Sequence, residues 1–555
     1  MDLIRLIVRD YRLPFCGVML ASLANAGLGV GVIAFINQRL IAHQDAALSA
    51  LPEFFGLIGL LLVIALVAQL GLTTLGHHFV FALRSRLVKR ILDTDIGRQE
   101  AIGSAALIAS LSADIRNVTI AFVRLPELVQ GLVLTVACAA YLGWLSLPLL
   151  MVTAAWIAVT LMIGNWLIQR VYAHLTEVRE AEDALYADYE TVIHGRKELA
   201  LNRARARELY RTRYTDNAKR YRRHIIRADT FHLSANNWAN IMMLGAIGLV
   251  FFLANTLAWA DTATAATYAL TLLFLRTPMI GAVGALPTLL NAQVAFNKLA
   301  ALDLAPYRAA FDTAPAESAW QAIRVENACF AYDKTDGPGF AIGPIDFTLK
   351  RGELVFIIGG NGSGKTTFAR LLCGLSAPSS GPLTIDGDDV TADRARLRRL
   401  FSSVFTDFYL FDRLLGADGT HADEAFIERW CRRLQLDGKL SREGARLLDT
   451  QLSQGQRKRV AMLVALAERR DILLLDEWAA DQDPIFRRVF YHELLPAFRD
   501  MGHTVVAISH DDTYFAAADR LLEMRAGQLI ELTGQERDAA SRDAVARIDR
   551  TAHRT

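Results

Sequence analysis

Six apolar stretches in the first 300 residues are each close to the length that crosses a lipid bilayer. They lie near residues 13–36, 54–75, 128–146, 147–168, 237–258 and 267–290. The hydrocarbon core of a bilayer is about 30 Å thick and needs roughly 20 apolar residues in a helix. The third and fourth stretches are nearly continuous, which indicates a tight hairpin. The pattern therefore predicts an all-α domain of six membrane helices over residues 1–309.

Short apolar runs replace the long ones after residue 310. The change follows a segment with several Pro and Ala residues, LDLAPYRAAFDTAPAESAW. Beyond it, runs rich in β-formers alternate with helical ones, a pattern typical of an α/β domain. The chain of 555 residues is long enough for two domains. We therefore predict an α/β domain over residues 310–555.

Composition and charge add few constraints to this picture. The hydrophobic content of 53% comes mostly from the membrane part, and a net charge of +2 gives no reason to expect nucleic acid as a partner. No cleavable signal sequence is apparent before the first apolar stretch, which we interpret as a membrane helix. The five scattered cysteines form no CxxC pair and are expected to be reduced: Cys16, Cys138, Cys329, Cys373 and Cys431.

The distribution of Lys and Arg predicts the orientation in the membrane. Basic residues are dense at residues 5–12, 84–98 and 170–227, whereas the other connections have almost none apart from Arg39. Since positively charged loops tend to remain in the cytoplasm, both termini are predicted to be cytoplasmic. The two long cytoplasmic connections are predicted to extend the membrane helices and to turn near residues 97–104 and 194–200. Either their charged residues lie on solvated helix faces, or the two tips dock on the α/β domain.

The segment GELVFIIGGNGSGKTTFARLL contains a phosphate-binding loop. An apolar strand precedes a Gly-rich turn and a helix, and the fixed positions of the motif are filled by Gly359, Gly364, Lys365 and Thr366. Glycines let backbone N–H groups curl around phosphate oxygens at the N-terminus of the following helix. Lys365 is predicted to reach the β- and γ-phosphates of ATP and to act in catalysis, and Thr366 to bind Mg²⁺. Nucleotide contacts are predicted along the whole loop: Gly359, Gly360, Asn361, Gly362, Ser363, Gly364, Lys365, Thr366 and Thr367.

Two adjacent carboxylates end another apolar strand, DILLLDEW. Asp476 is predicted to assist Mg²⁺, and Glu477 to polarise the attacking water as the catalytic base. Adjacent acidic residues are common by chance. An apolar run before them, downstream of a phosphate loop, is much less so.

The sequence LSQGQRKRVAMLVALA, from Leu452 to Ala467, resembles the signature motif of ATP-binding cassette (ABC) proteins. In that family, this motif of one subunit closes over the γ-phosphate held by the other, so the resemblance implies that two copies bind two ATP molecules at a shared face. A serine and a glycine before a helix offer a hydroxyl, free N–H groups and the helix dipole to an anion. The nucleotide-contacting residues implied by the motif are Ser453, Gly455 and Gln456.

Three further positions resemble elements of the same family. Tyr332, in CFAYDK, resembles the aromatic residue that stacks on adenine. Asp481 and Asp483, in AADQDP, resemble the loop that joins the two active sites, and Asp481 is expected to contact nucleotide. His510, at the end of VVAISH, resembles the switch histidine that contacts the γ-phosphate, and it is expected to take part in catalysis.

One position departs from the family pattern. Thr406, in SSVFTDFYLFD, stands where a glutamine usually senses Mg²⁺ and the attacking water. Thr406 is too short to copy that side chain directly. Either Asp407 replaces part of its role, as a further Mg²⁺ ligand, or the coupling runs differently. The span from Lys365 to Ser453 is also short, which implies a reduced helical subdomain.

Six membrane helices fused before one cassette resemble the exporter class of this family. The segments HGRKELALNRARARELY and VFTDFYLFD resemble the cyclic-peptide exporter subfamily, whose members are linked to pyoverdine-type siderophore peptides, lipodepsipeptide toxins and lasso-peptide microcins. This implies ATP-driven export of a modified or cyclic peptide, such as a siderophore precursor, across the bacterial inner membrane by alternating access of a homodimer. The alternatives are a heterodimer, a lipid or multidrug exporter of the same architecture, and a membrane-anchored regulator that uses ATP as a signal.

Arg276 is the candidate for a substrate contact in the membrane half. It lies beside Pro278 in the sixth apolar stretch, where a charge at membrane depth is costly. Arg276 either meets an acidic group of the substrate or pairs inside the bundle as a structural residue. Four asparagines either line the same cavity or make polar contacts between helices: Asn25, Asn165, Asn237 and Asn240.

Overall fold

The computed structural model describes residues 12–41, 47–311, 320–332, 339–448 and 452–542. The chain divides into two compact units, the first made of Met1–Val88 and Ala105–Asp303 and the second of Lys89–Ser104 and Leu304–Thr555. The sequence-based boundary at residue 310 stays a prediction about the functional domains. Arg5, Arg9 and part of the proposed linker, 312–319, lie outside the described residues.

The N-terminal part of the chain is helical. Its helices are α1 Arg12–Phe35, α2 Ala47–Asp93, α3 Ile96–Ile102, α4 Ser104–Ala109, α5 Ile115–Leu145, α6 Leu147–His194, α7 Arg196–Leu201, α8 Arg203–Glu208, α9 Thr215–Leu257 and α10 Thr262–Ala301. Among the residues that the structure describes, six helical stretches are long and apolar enough to cross a membrane, which confirms the predicted six-helix class. With a rise of about 1.5 Å per residue, the 48 residues of α6 are far longer than a bilayer is thick.

Packing inside the first unit follows rules expected for a membrane bundle. One side of α2 exposes a row of large apolar side chains, including Leu62, Leu66 and Leu70, as is suited to contact with lipid. Where α5 meets α10, a Cβ added to Gly131 would lie 2.5 Å from the backbone oxygen of Pro278. Only glycine therefore allows this close approach between the two helices.

The predicted hairpin between the third and fourth stretches turns at Ser146, which alone separates α5 from α6. Ser146 is extended, with φ −159° and ψ 105°, and so interrupts the helix. The buried hydroxyl of Tyr268 donates to the carbonyl oxygens of Leu142 and Ser146 at 2.8 and 2.7 Å. Both carbonyl oxygens also accept from backbone N–H groups, those of Ser146 and Leu150, so the Tyr268 hydroxyl adds a contact between α10 and the turn.

The second unit is an α/β domain. Its helices are α11 Lys365–Leu372, α12 Ala395–Leu400, α13 Glu424–Arg433, α14 Gln454–Ala467, α15 Pro484–Val489, α16 Leu495–Asp500 and α17 Gly534–Arg542. Its strands are β1 Ala322–Ala331, β2 Ala341–Lys350, β3 Leu354–Ile358, β4 Leu383–Ile385, β5 Asp388–Asp389, β6 Phe401–Val404, β7 Arg442–Glu443, β8 Arg446–Leu447, β9 Ile472–Asp476, β10 Thr504–Ile508, β11 Arg520–Arg525 and β12 Gln528–Leu532.

The central sheet of this domain has the order β12-β11-β3-β10-β9-β6, and β11, β3, β10, β9 and β6 are parallel to one another. Strand β3 is buried on both faces, with Phe356 in one hydrophobic cluster and Val355 and Ile357 in another. A second sheet, in the order β2-β1-β4-β5, contributes to the second cluster. Because parallel strands end at the same edge, the loops after β3, β9 and β10 are brought together.

The segment Lys89–Ser104 packs within the second unit. The guanidinium group of Arg90 donates to the carbonyl oxygens of Leu304 and Ala305, both at 2.8 Å. The ammonium group of Lys89 lies 4.2 Å from the ring centre of Phe311. Glu100 of this segment also accepts from Arg370 on α11, so the first of the two cytoplasmic tips contacts the α/β domain, as one of the two interpretations of its charges predicted.

Candidate ATP site

The phosphate loop joins β3 to α11 in a conformation that requires glycine. Gly359 and Gly364 have φ values of 146° and 110°. A Cβ at Gly359 would lie 2.4 Å from the backbone oxygen of Met524, and one at Gly364 would lie 2.6 Å from Cγ2 of Ile342. Side chains at these positions would therefore be both strained and crowded.

Lys365 begins α11 and turns back over the loop. Its Nζ atom donates to the carbonyl oxygens of Gly359 and Gly360, each at 3.0 Å. The side chain is only 6% exposed, and burial lowers the pKa of its ammonium group, whereas the carboxylates of Glu477 and Asp476 act in the opposite direction. Lys365 is thus a buried cation held at the site where the motif predicts phosphate.

Asp476 and Thr366 lie together at the end of β9. The Thr366 hydroxyl donates to Oδ2 of Asp476 at 2.9 Å. Asp476 is fully buried, and its Oδ1 atom accepts no hydrogen bond from any described residue. Burial raises the pKa of this carboxyl group, and the hydrogen bond from Thr366 opposes the shift. The unpaired Oδ1 atom of Asp476 and the nearby Thr366 hydroxyl fit a hydrated Mg²⁺, because that ion prefers oxygen ligands. A bound Mg²⁺ would also favour the ionised form of the carboxyl group.

Glu477 follows directly and faces two other predicted catalytic residues. Its Oε1 atom lies 3.0 Å from Nε2 of His510 and 4.0 Å from Nζ of Lys365. The parallel pairing of β9 with β10 brings these residues together, since Asp476 lies opposite Ile508. The three side chains assigned to catalysis from the sequence therefore form one cluster.

Tyr332 lies near the start of α11. Its hydroxyl is 3.4 Å from that of Thr367, and its ring packs edge-on against Phe330 at 4.9 Å between ring centres. The residue is 36% exposed, so part of the ring is open to solvent. This position, beside the phosphate loop, is compatible with stacking on a base.

The signature turn forms the N-terminus of α14. Ser453 caps the helix: its hydroxyl accepts from the N–H of Gln456, and Oε1 of Gln456 accepts from the N–H of Ser453 at 3.0 Å. Gly455 lies against Asp481, where an added Cβ would be 3.0 Å from the backbone oxygen. Ser453 is exposed, and the hydrogen bonds of its hydroxyl and N–H group within the described part of the chain are with Gln456 of the same turn. The nucleotide contact of this turn stays a prediction.

Thr406 and Asp407 are both exposed in the loop after β6. The register pairs Val404 of β6 with Leu475 of β9, so the chain beyond Val404 runs beside Asp476 and Glu477. The loop therefore begins at the sheet edge where β9 ends. The role of each side chain stays a prediction.

The structure also shows residues that sequence reasoning missed. Tyr491 donates to Asp511 at 2.9 Å and lies 2.7 Å from the Ser509 hydroxyl, which anchors the segment that contains His510.

Lys458 and Arg459, two adjacent cations on α14, are almost fully buried. Their signal in the sequence is the end of a run of three basic residues immediately before the apolar run VAMLVALA, where buried charges require partners.

In the first unit, the exposed guanidinium group of Arg276 donates to Oδ1 of Asn240, which joins α10 to α9. Asn25 has a buried Oδ1 atom that accepts no hydrogen bond from the described residues. The structure therefore pairs Arg276 with one of the four asparagines named from the sequence. The roles of Asn25, Asn165 and Asn237 stay predictions.

Comparison with known proteins agrees with this site. Residues 342–480 match the ABC transporter family. The ATP-binding protein SyrD of Pseudomonas syringae pv. syringae is 32% identical over 535 residues, which cover 92% of this chain and 93% of that protein. The energy-coupling factor transporter ATP-binding protein EcfA1 of Lactococcus lactis subsp. cremoris is 36% identical over 242 residues, 40% of this chain and 83% of that protein.

Among solved structures, a bacterial Atm1-family ABC exporter with ATP bound is similar over 99% of each chain, with a TM-score of 0.74 and 18% sequence identity. This likeness shows the fold. Together with the six candidate spans, the fold and the site define a multi-pass membrane protein with a fused ATPase domain. The chain belongs to the ABC transporter family, as an exporter-type half-transporter that binds ATP and couples its hydrolysis to transport.

Proposed function

We propose that this protein exports a modified or cyclic peptide from the cytoplasm across the bacterial inner membrane, as a homodimer with both termini in the cytoplasm. The similarity to SyrD over 92% of the chain is the observation on which the proposal rests, since it includes the membrane half that selects the substrate. The resemblance of HGRKELALNRARARELY and VFTDFYLFD to cyclic-peptide exporters supports the same substrate class. A siderophore precursor is one member of that class.

The exposure of Ser453 supports the homodimer. In one chain, the capping hydroxyl and the N-terminus of α14 face outward, although their chemistry suits an anion. We propose that this turn of each copy closes on ATP held by Gly359–Thr367 of the other copy. Tyr332 stacks on the base, and Asp481 lies at the shared face.

Each side chain of the cluster has a chemical role in this proposal. Lys365 binds the β- and γ-phosphates, Glu477 takes a proton from the attacking water, and His510 orients Glu477 and contacts the γ-phosphate. Mg²⁺ held by Thr366 and Asp476, with Asp407 as a further candidate ligand, would supply positive charge to the phosphates. Both copies contact ATP only in the closed state, so ATP binding favours that state over the inward-open one. Changing a ratio of closed to open molecules from 1:99 to 99:1 requires a difference in binding free energy of about 5.5 kcal/mol.

The proposal is tested by comparing peptides in the cytoplasm and the medium of cells with and without the protein. We expect a modified peptide to accumulate inside the cells that lack it and to appear outside when the protein is restored. Restoration with the variant Glu477→Gln should not rescue export. Purified protein in lipid vesicles should then show ATP turnover stimulated by that peptide. Stimulation by lipids or unrelated hydrophobic compounds instead would favour a lipid or multidrug exporter, and ATP binding without turnover would favour a regulator.

The first cytoplasmic tip offers a route for coupling. Glu100 accepts from the guanidinium group of Arg370 at 2.7 Å, and Asp95 pairs with Arg394. Arg370 lies on α11, the helix that begins with Lys365. A displacement of α11 on ATP binding is therefore transmitted directly to the segment that continues the second membrane helix.

Reversing one charge of this pair should uncouple transport from ATP turnover. Glu100→Arg places two cations together, and we expect vesicle transport per ATP hydrolysed to fall by about fivefold, equivalent to roughly 1 kcal/mol for a pair of this exposure. The double variant Glu100→Arg with Arg370→Glu restores the pair and should recover much of the loss. Equal coupling ratios in the wild type and the single variant would show that this contact does not transmit the movement.

Arg276 is proposed to bind an anionic group of the peptide. Its guanidinium group is exposed within the sixth predicted span, where contact with lipid is costly, so it suits a polar cavity in the bundle. Arg276→Gln should lower the apparent affinity for an acidic peptide by about tenfold, as expected for the loss of a charge-assisted hydrogen bond. Its amidated analogue should be affected much less. Arg39→Gln is the control, since Arg39 is also exposed but ends the first helical stretch, Arg12–Arg39, beyond the predicted span 13–36. Equal losses for both peptides would contradict the contact.

A further inference from the structure

Lys458 connects the signature turn to the catalytic carboxylate within one chain. It lies on α14, little more than one turn after Ser453. Its side chain is only 4% exposed, and its Nζ atom donates to the backbone oxygen of Glu477 at 2.7 Å and lies 2.7 Å from Oδ2 of Asp481. A buried ammonium group is stable only when its donors are paired, so these two contacts hold the lysine in one position.

The backbone of Glu477 needs such support. Its φ and ψ values of 49° and 37° are left-handed, a conformation that is unfavourable for a residue other than glycine. The N–H group of Glu477 donates to the oxygen of Ile508 at 3.1 Å, and its carbonyl oxygen accepts from Lys458. The next residue is tied to the same helix, because Nε1 of Trp478 donates to the backbone oxygen of Lys458 at 2.8 Å.

Arg459 provides a second connection between the same two segments. Its guanidinium group donates to Oε1 of Gln482 at 2.8 Å and to Oδ2 of Asp483 at 2.9 Å. Nε2 of Gln482 in turn donates to the backbone oxygen of Gly455 at 3.1 Å. The signature turn and residues 477–483 are therefore joined through two adjacent buried cations. A movement of the signature turn therefore displaces residues 477–483, and the reverse also holds.

We propose that Lys458 is a positioning residue that makes the catalytic base of one ATP site respond to nucleotide at the other. The inference rests on the proposed roles of Ser453 and Glu477. When Ser453 engages the ATP of the partner copy, the first turns of α14 and hence Lys458 are fixed. Lys458 then fixes the peptide of Glu477 and the direction of its carboxylate. Hydrolysis at either site therefore depends on both signature turns being engaged, which produces cooperativity in ATP.

Replacing Lys458 with Met tests this proposal in the full-length protein in lipid vesicles. Met keeps the apolar stem but removes the ammonium donor, so the carbonyl oxygen of Glu477 keeps only the longer hydrogen bond from the N–H of Ala480, at 3.3 Å. We expect turnover per bound ATP to fall on the order of 10- to 100-fold, as misplacement of a catalytic group does, with ATP affinity nearly unchanged. The Hill coefficient for ATP should fall towards one. Bound ATP is measured in the same samples, so unfolded protein does not enter the ratio.

Two further variants separate positioning from a general structural role. Lys458→Gln retains an N–H donor and should recover part of the turnover and of the Hill coefficient. Arg457→Met, one position away, removes a cation whose guanidinium carbon lies 5.8 Å from the Phe408 ring, and it should leave the Hill coefficient unchanged. Wild-type turnover and cooperativity in Lys458→Met, or a loss of turnover fully explained by lost ATP binding, would overturn the proposal. An inactive wild type would instead contradict the proposed function.

Discussion

Replacing Glu477 with Gln is expected to lower ATP turnover by about 10²- to 10⁴-fold while ATP remains bound, because the amide cannot accept a proton from water. Gln has nearly the same shape and keeps an oxygen that can face His510, now 3.0 Å from Oε1 of Glu477. The closed, ATP-bound form should therefore accumulate. Turnover by purified protein and retention of radiolabelled ATP after rapid gel filtration measure the two parts of this expectation.

A matched substitution separates this effect from the general cost of losing a carboxylate. Glu468 lies at the end of α14, where burial raises the pKa of its carboxyl group and the Ser402 hydroxyl donates to it at 3.0 Å. Glu468→Gln should keep turnover close to that of the wild type. Normal hydrolysis by Glu477→Gln would show that another group is the catalytic base.

Replacing Lys365 with Ala should weaken ATP binding by between about 10- and 100-fold, as expected when a charge-assisted hydrogen bond to phosphate is lost. In this structure its ammonium group is held by the carbonyl oxygens of Gly359 and Gly360, directly over the phosphate loop. Phosphate oxygens would replace these neutral acceptors with charged ones, and they would offset the effect of burial on the pKa of Lys365. Equilibrium binding of a fluorescent ATP analogue measures the change.

Lys439→Ala is the control for this loss, since Lys439 is an exposed lysine of the same domain. It should bind the analogue as the wild type does. If Lys365→Ala binds ATP with unchanged affinity but hydrolyses it slowly, the lysine stabilises only the transition state. The predicted contact with bound ATP would then be wrong.

Local patterns in the sequence predicted much of the fold and of the site. The bilayer requires about 20 apolar residues per helix, so the six spans are visible as long stretches, and the structure confirms the class. The phosphate loop was equally visible, because a backbone with positive φ at Gly359 and Gly364 restricts the residues that can stand there. The cluster of Lys365, Glu477 and His510 followed from motifs at the ends of neighbouring strands.

Other features depend on contacts between residues far apart in the chain, and only the tertiary structure decided them. The sequence gives Glu100 and Arg370 no local relation, yet they form an ion pair across 270 positions. Nor does it indicate that Lys458 supports Glu477, because a buried cation is recognised by its partners and these come from another segment. Short-range periodicity and steric limits on the backbone thus determined the helices, the strands and the phosphate loop. Which charged groups meet was decided by packing, since the direction of each side chain depends on how the elements are arranged.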